Sequence, residues 1–339
     1  MRLEETTMVK CDHGNGTQGR ILVAGSLAFD FIMGFPGRFQ EHILPEKLHI
    51  INLSFLVDRM RKQRGGCAGN IGYTLALLGE KPRLVAAAGG DFGSYRSYLE
   101  GLGVDTSCIA QHPDEMTATC MITTDKSNNQ ITGFYVGAMA RAREISLKAC
   151  VTPSTCFAVV APDDPPAMLR HACEAREAGV PVIFDPSFQV IALDGEELMR
   201  GADGAKALIL NDYEFAVFQE KTGLTLDELR QRIELVVVTL GERGSRIHTR
   251  EGRDIEVAPV RIQQVVDPTG AGDAYRAGFV HGLVRGEDLE VCGRKGSVAA
   301  AYAIENYGTQ SFTFTVEEFN QRYFENYGVR PPAEALAAC

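Results

Sequence analysis

The sequence predicts an α/β fold in which a mostly parallel sheet is covered by helices on both faces and carries a small β-sheet lid. From Arg20 onward, short apolar runs alternate with amphipathic segments. Runs such as ILVAGS and ELVVVTL are continuously apolar, which is typical of strands buried on both faces of a parallel sheet. Two stretches, about 31–63 and 117–140, break this rhythm, and the second alternates around the turn-forming KSNNQ as an antiparallel hairpin does. We therefore predict that these two stretches form the lid.

Each predicted element has a local reason. The strands are short apolar runs bounded by polar residues or glycine, at ILVAGS, LVAAAGG, CFAVVA, VIFD, KALIL, ELVVVTL and QQVV. The helices have apolar residues at helical spacing, at Asn70–Gly79, SYRSYLEGLG, Ala167–Ala178, Tyr213–Lys221, Ala271–Arg285 and Leu289–Asn306. In the first of these helices Gly79 can cap the end, and the strings TLDE and TVEE are capping boxes that start further helices. We predict one folded domain over 20–328, a flexible N-terminal extension over 1–19 and a C-terminal tail over 329–339.

The composition excludes several classes of protein. The chain of 339 residues has 34 basic and 44 acidic side chains, a net charge of −10, which argues against a nucleic-acid partner. It has no apolar run long enough to cross a membrane and no secretory signal, so we expect a cytoplasmic protein. Nine cysteines without a C-x-x-C pair, and scattered histidines, indicate reduced core cysteines rather than a zinc site.

Polar or glycine-rich segments follow five of the predicted strands. Because ligands of open parallel sheets bind beyond the carboxyl ends of the strands, we expect these segments to form one active site. The five segments are 27–30, 186–189, 211–214, 241–244 and 267–273.

The segment DPTGAGD (267–273) is the most informative of the five. Gly270 and Gly272 allow close approach of a ligand at the start of the helix that begins at Ala271, where free N–H groups and the helix dipole form an anion hole. Asp273, in the first helical turn, is placed to accept the proton of a hydroxyl that attacks phosphorus. The alternative is that Asp273 merely stabilises the start of the helix. No P-loop or G-x-S-x-G motif is present, and neither the glycines of 65–70 nor the single glycine after ILVA completes a G-x-G-x-x-G motif.

The motifs, taken in order, resemble the ribokinase family (phosphofructokinase B type), and more narrowly the bacterial adenosine kinases. The resemblance covers about residues 20–328. Its most specific string is DPTGAGDAYRAGF, and the others are GSLAFDFIMGFPGRF, RGGCAGNIGYTLALLG, the lid string FYVGAMARAR, NDYE and TLGERG. It implies a ribokinase-like three-layer α/β/α domain with a β-sheet lid.

The resemblance also implies a reaction, in which the γ-phosphoryl group of ATP is transferred to the 5′-hydroxyl of adenosine with Mg²⁺. It makes Asp273 the catalytic base and Gly270, Ala271 and Gly272 the anion hole. The residues that it places around the nucleoside are Ser26, Asp30, Gly66, Asn70, Phe134 and Gln189. The residues that it places around ATP are Asn211, Thr239, Gly241 and Gly244, with Glu214 holding Mg²⁺ through water.

Several alternatives stay open at this stage. Asp30 could cap a turn, Asn211 and Glu214 could be a helix cap, and Phe134 could be lid core. The acceptor could be another nucleoside or a sugar, and the chain could be an inactive nucleoside-binding relative. The resemblance also allows a monovalent cation such as K⁺ near Asp267 and Thr269, and a homodimer formed through the lid.

Overall fold

The computed structural model describes residues 18–42, 53–127 and 129–332, and it contains a large sheet and a small one. The large sheet has the strand order β13-β12-β11-β10-β9-β8-β1-β4-β5, and the small one has the order β3-β2-β6-β7. The strands are β1 (Gln18–Ala24), β2 (Ala28–Gly34), β3 (Arg59–Gly65), β4 (Lys81–Gly89), β5 (Asp105–His112), β6 (Ala118–Thr124), β7 (Gln130–Tyr135), β8 (Phe157–Val160), β9 (Val182–Phe184), β10 (Ala207–Asn211), β11 (Leu235–Thr239), β12 (Ser245–Thr249) and β13 (Asp254–Val257).

In the large sheet, every neighbouring pair from β5 through β11 is parallel, and β12 is antiparallel to both β11 and β13. Successive residues of β1 belong to different cores, Ile21 and Val23 to one and Leu22 and Ala24 to the other. This alternation is what a strand covered on both faces requires. The predicted three-layer α/β/α arrangement is therefore confirmed.

The helices agree closely with the sequence patterns. They are α1 (Cys67–Leu77), α2 (Gly93–Gly101), α3 (Pro165–Glu177), α4 (Gly195–Ala202), α5 (Asp212–Thr222), α6 (Leu226–Arg232), α7 (Ala271–Val284), α8 (Leu289–Ile304) and α9 (Val316–Tyr327). Thr225 and Thr315 form the two capping boxes that TLDE and TVEE predict. Gly79 follows the last turn of α1 with φ of +85°. In the described part of the chain, no helix is long and apolar enough to cross a membrane.

The small sheet is the predicted lid. It joins β2 and β3 to the predicted hairpin of β6 and β7, with β2 parallel to β6 and the other two pairs antiparallel. Part of the first lid stretch, 43–52, lies outside the described residues, as do 1–17 of the predicted extension and 333–339 of the tail. The lid face that points away from Asp30 carries exposed apolar side chains, those of Met60, Met121, Ile131 and Tyr135. The homodimer stays a prediction.

Two expectations are wrong. The string QQVV forms no strand, because Val266 and Asp267 donate their backbone N–H groups to the carbonyl of Ile304 at the end of α8, and Val265 is 60% exposed. Not all cysteines are unpaired, because Cys108 on β5 forms a disulfide with Cys150. Their Cα atoms are 6.2 Å apart although 42 residues separate them in sequence, so the spacing gave no sign of the bond.

Candidate functional site

The candidate site lies at the carboxyl edge of the large sheet, where the chain order reverses. From β1 the chain proceeds to β4 and β5 on one side and later returns to β8 on the other side of β1. Such a switch point is where ligands of open α/β sheets bind. Of the strand ends, β10 and β11 bring Asn211 and Thr239 into register, so these two predicted residues lie side by side.

Ser26 follows β1 and Gly66 precedes α1, and hydrogen bonds to Ser26 hold these two segments together. The backbone N–H of Cys67 donates to Ser26 Oγ at 3.1 Å, and that of Ala68 donates to the Ser26 carbonyl. Gly66 precedes α1 with φ of +86°, and a Cβ there would lie 2.5 Å from the Ser26 carbonyl oxygen. Only glycine fits this junction without strain, because both the backbone angle and the space exclude a side chain.

Asp273 lies in the first turn of α7, and its carboxyl is partly buried. Asn70 on α1 donates to Asp273 Oδ2 at 2.8 Å. Burial raises the pKa of Asp273, and the neighbouring Arg276 and the hydrogen bond from Asn70 oppose that rise. A carboxylate that is poorly solvated and raised in pKa is suited to accept a proton.

The start of α7 is shaped by Gly270, which has φ of +78°. The N–H groups of a helix's first turn have no acceptor within the helix. That of Ala271 donates to the Pro268 carbonyl at 3.2 Å, so the predicted anion hole would depend on its neighbours Gly270 and Gly272. The anion-hole role of these three residues stays a prediction.

Asp30 and Phe134 share one face of the lid. Asp30 on β2 is in register with Cys120 on β6, which is in register with Phe134 on β7, and cross-strand partners point to the same face. Phe134 is 50% exposed, so it is not lid core, and Asp30 lies within a strand rather than at a turn. Burial, together with the charge of Asp267, raises the pKa of Asp30 to about 6.

Asn211 and Glu214 form a reciprocal cap at the start of α5. Glu214 Oε2 accepts from the Asn211 backbone at 2.8 Å, and Asn211 Oδ1 accepts from the Glu214 backbone at 2.7 Å. Glu214 Oε1 accepts from Ser187 Oγ at 3.1 Å, and Ser187 has φ of +42°. The helix-cap alternative is therefore what the geometry shows, and a contact of Glu214 with Mg²⁺ would use the lone pairs that remain.

The other predicted residues fall into two places. Gln189 is buried and donates to the Asp163 carbonyl at 2.7 Å. Gly241 and Gly244 bound the short 3-10 turn that follows β11. The described residues contain no group of three or more His, Cys, Asp or Glu side chains arranged to hold a metal ion.

A buried ion pair that the sequence did not predict lies close to the start of α7. Arg276 on α7 pairs with Asp185 at the end of β9, and it lies 4.0 Å from Glu214. A Cβ on Gly272 would lie 2.6 Å from Arg276 Nη1, so the guanidinium is close to the start of α7. Burial raises the pKa of Asp185 to about 7 against the effect of Arg276. The only signal in the sequence was that both residues fall within the motifs DPSF and DAYRAGF.

Comparisons with known proteins identify the family of this chain. The model of the pfkB family of carbohydrate kinases matches residues 41–315. A nucleoside kinase of Methanothermobacter thermautotrophicus is 34% identical over 315 residues, which is 92% of this chain and 98% of that protein.

Solved structures give the same result. The Burkholderia thailandensis nucleoside kinase in complex with inosine has a TM-score of 0.82 at 39% identity, over 92% of this chain and all of that one. The Methanocaldococcus jannaschii nucleoside kinase has a TM-score of 0.82 at 30% identity, with the same coverage. A ribokinase of Thermotoga maritima, at 22% identity and a TM-score of 0.74, shares the fold. The chain therefore belongs to the pfkB family of carbohydrate kinases.

Proposed function

We propose that this protein is a kinase that transfers the γ-phosphoryl group of ATP to the 5′-hydroxyl of a nucleoside, with adenosine as the predicted acceptor. The observation that carries the proposal is the partly buried carboxyl of Asp273 at the amino end of α7, held by Asn70. A proton acceptor beside a helix N-terminus is suited to the transfer of phosphate to an alcohol, because the acceptor takes the proton of the alcohol while the helix N-terminus binds the anionic group.

Each group would act at a definite atom. Asp273 takes the proton from the 5′-hydroxyl as that oxygen attacks the γ-phosphorus and the bond to ADP breaks. The N–H groups of Gly270 and Gly272 bind the oxygens of the transferring group, on which charge builds up. Asp30 accepts hydrogen bonds from the two ribose hydroxyls, and Phe134 stacks on the base. Closure of the lid excludes water that would otherwise accept the phosphoryl group.

The ATP site would lie at the ends of β10 and β11. Asn211 and Thr239 are adjacent there, and the turn of Gly241 and Gly244 follows directly. When bound, Mg²⁺ would neutralise phosphate charge, and Glu214 would hold it through water, because this ion keeps several of its waters. The absence of a dedicated metal cage among the described residues is compatible with that indirect mode.

Inosine is the second candidate acceptor. Structures of the Burkholderia thailandensis nucleoside kinase in complex with inosine and with ADP–inosine align with 92% and 94% of this chain at 39% and 40% identity. A cytidine kinase of Thermococcus kodakarensis is 26% identical over 270 residues. These relatives support a nucleoside acceptor and leave the choice of base to experiment.

The test is an ADP-release assay with Mg-ATP and a panel of adenosine, inosine, guanosine, cytidine and ribose. We expect turnover with at least one purine nucleoside and little with ribose, because ribose offers no base for Phe134. Turnover with ribose alone would show that the acceptor is a sugar. Nucleoside binding measured by calorimetry without any ADP release would show an inactive, nucleoside-binding relative.

A further inference from the structure

A chain of side-chain hydrogen bonds links Asp273 to the backbone at the base of the lid. Asn70 Nδ2 donates to Asp273 Oδ2 at 2.8 Å, and Gln310 Nε2 donates to Asn70 Oδ1 at 3.0 Å. Gln310 Nε2 also donates to the hydroxyl oxygen of Tyr95, and that hydroxyl donates to the Gly65 carbonyl at 3.0 Å. Gly65 is the last residue of β3, so the chain of bonds ends where the lid meets α1.

Gln310 determines which end of the Asn70 amide faces the carboxyl. An asparagine amide has an oxygen that only accepts and a nitrogen that only donates. Because Gln310 donates to the oxygen, the nitrogen of Asn70 is left to donate to Asp273. Without that donor, the amide could turn its oxygen toward the carboxylate, which would be repulsive and would remove a hydrogen bond that favours the charged form.

The segment that carries Gln310 is fastened to the lid strand. Thr309 Oγ1 donates to the Arg64 carbonyl at 3.0 Å, and Gln63 Nε2 donates to the Tyr307 carbonyl at 3.5 Å. The segment 307–310 thus bonds to β3 at two positions besides the link through Tyr95. A displacement of β3 would therefore be transmitted to Gln310.

The side chains of Tyr95 and Gln310 pack closely against α1. A Cβ on Gly69 of α1 would lie 2.1 Å from the Tyr95 hydroxyl oxygen and 3.2 Å from Gln310 Nε2. Tyr95 is fully buried. The two side chains therefore approach α1 at a place where a larger residue would force them away.

We propose that Gln310 is a positioning residue for Asp273, acting through Asn70, and that its bonds to β3 link the orientation of the carboxyl to the position of the lid. The inference rests on the proposed function, since it assigns Asp273 the role of base. Gln310 is not among the residues that we place against either substrate, and its effect passes through the Asn70 amide.

The test is Gln310→Met, which keeps the length of the side chain and removes its polar atoms. We expect kcat to fall about tenfold with a small change in the nucleoside KM. The acid limb of kcat should move to higher pH, because the hydrogen bond from Asn70 lowers the pKa of Asp273. Gln321→Met on the exposed surface of α9 is the matched control and should change none of these quantities.

Two further measurements separate this role from a merely structural one. Gln310→Met should lower kcat only slightly when Asn70 is already alanine, since the effect passes through Asn70. A full additional loss of kcat in that background would overturn the proposal. The pKa of Asp273, followed by carboxyl ¹³C NMR, should rise in Gln310→Met. That titration needs no turnover, so an unchanged pKa refutes the role of Gln310, whereas an inactive wild type refutes only the kinase proposal.

Discussion

Replacing Asp273 with asparagine removes the proposed proton acceptor while it keeps the shape of the side chain. The carboxyl is partly buried, and its Oδ2 accepts from Asn70 at 2.8 Å. An asparagine in the same place can turn its amide oxygen toward Asn70 and keep that bond, so the packing should change little. A general base contributes about 10²–10⁴-fold, or about 2.7–5.5 kcal/mol of the barrier. We therefore expect kcat to fall by that factor.

The pH dependence gives a second, independent readout of the same group. Burial raises the pKa of Asp273 above its ordinary value. Only the carboxylate can accept the proton, so kcat of the wild type should fall as the pH decreases through that raised pKa. The Asp273→Asn variant should lack this limb, because it has no carboxyl to titrate.

The assay is ADP release under saturating Mg-ATP, with the nucleoside varied. Asp203→Asn is the matched control, because Asp203 pairs with Arg232 in an exposed position at the end of α4. Both variants should unfold near the wild-type temperature, and the nucleoside KM of Asp273→Asn should change little. Near-wild-type turnover of Asp273→Asn, with the acid limb intact, would refute the assignment of Asp273 as base.

Three further changes test other parts of the site. Asp30→Asn should raise the nucleoside KM about tenfold or more, because a carboxylate accepts from both ribose hydroxyls. The KM of the wild type should also rise as the pH falls below about 6, where Asp30 gains its proton. A KM that does not change with pH would contradict this role of Asp30. Gly66→Ala should lower the free energy of unfolding by about 1–3 kcal/mol, measured in urea, because φ is +86° and the Ser26 carbonyl is in the way; Gly101→Ala, which meets no atom within 4 Å, is the control. Arg276→Met should lower the free energy of unfolding, measured in urea, by about 3–5 kcal/mol, because it leaves Asp185 buried without its partner. Adding Asp185→Asn should recover part of that stability. Strictly additive losses of stability would show that the two residues do not interact.

Local patterns were enough to predict most of the fold. The apolar runs predicted the parallel strands because burial on both faces leaves no alternation, and the capping boxes at Thr225 and Thr315 predicted two helix starts because each depends on four consecutive residues. The same reasoning failed at Val265 and Val266, where two adjacent apolar residues continue no run and remain exposed.

The supporting contacts of the site could not be predicted in this way. Gln310 is 240 residues from Asn70 in the sequence, and Arg276 is 91 residues from Asp185. Neither pair can be recognised from the neighbouring sequence, because a glutamine after a helix and an arginine within a helix usually lie on the surface of a protein. The segment between α8 and α9 packs against α1 and brings Gln310 to Asn70, and α7 packs against the end of β9 and brings Arg276 to Asp185. The motif residues could be singled out because their conformation depends on the turn in which they stand, whereas the positions of the residues that contact them depend on the whole fold.

The charges of the site show how an acidic protein could hold an anionic substrate. Asp185, Glu214 and Asp273 surround Arg276, so the buried cluster is short of positive charge when all three acids are ionised. Arg276 can therefore balance at most one of them, and it does not make the site basic. Attraction for a phosphate must then come from the amide groups and dipole at the start of α7 and from a bound cation, both of which act over a short distance. This is consistent with a chain of net charge −10 that would bind nucleotides at one edge of its sheet while it repels polyanions elsewhere.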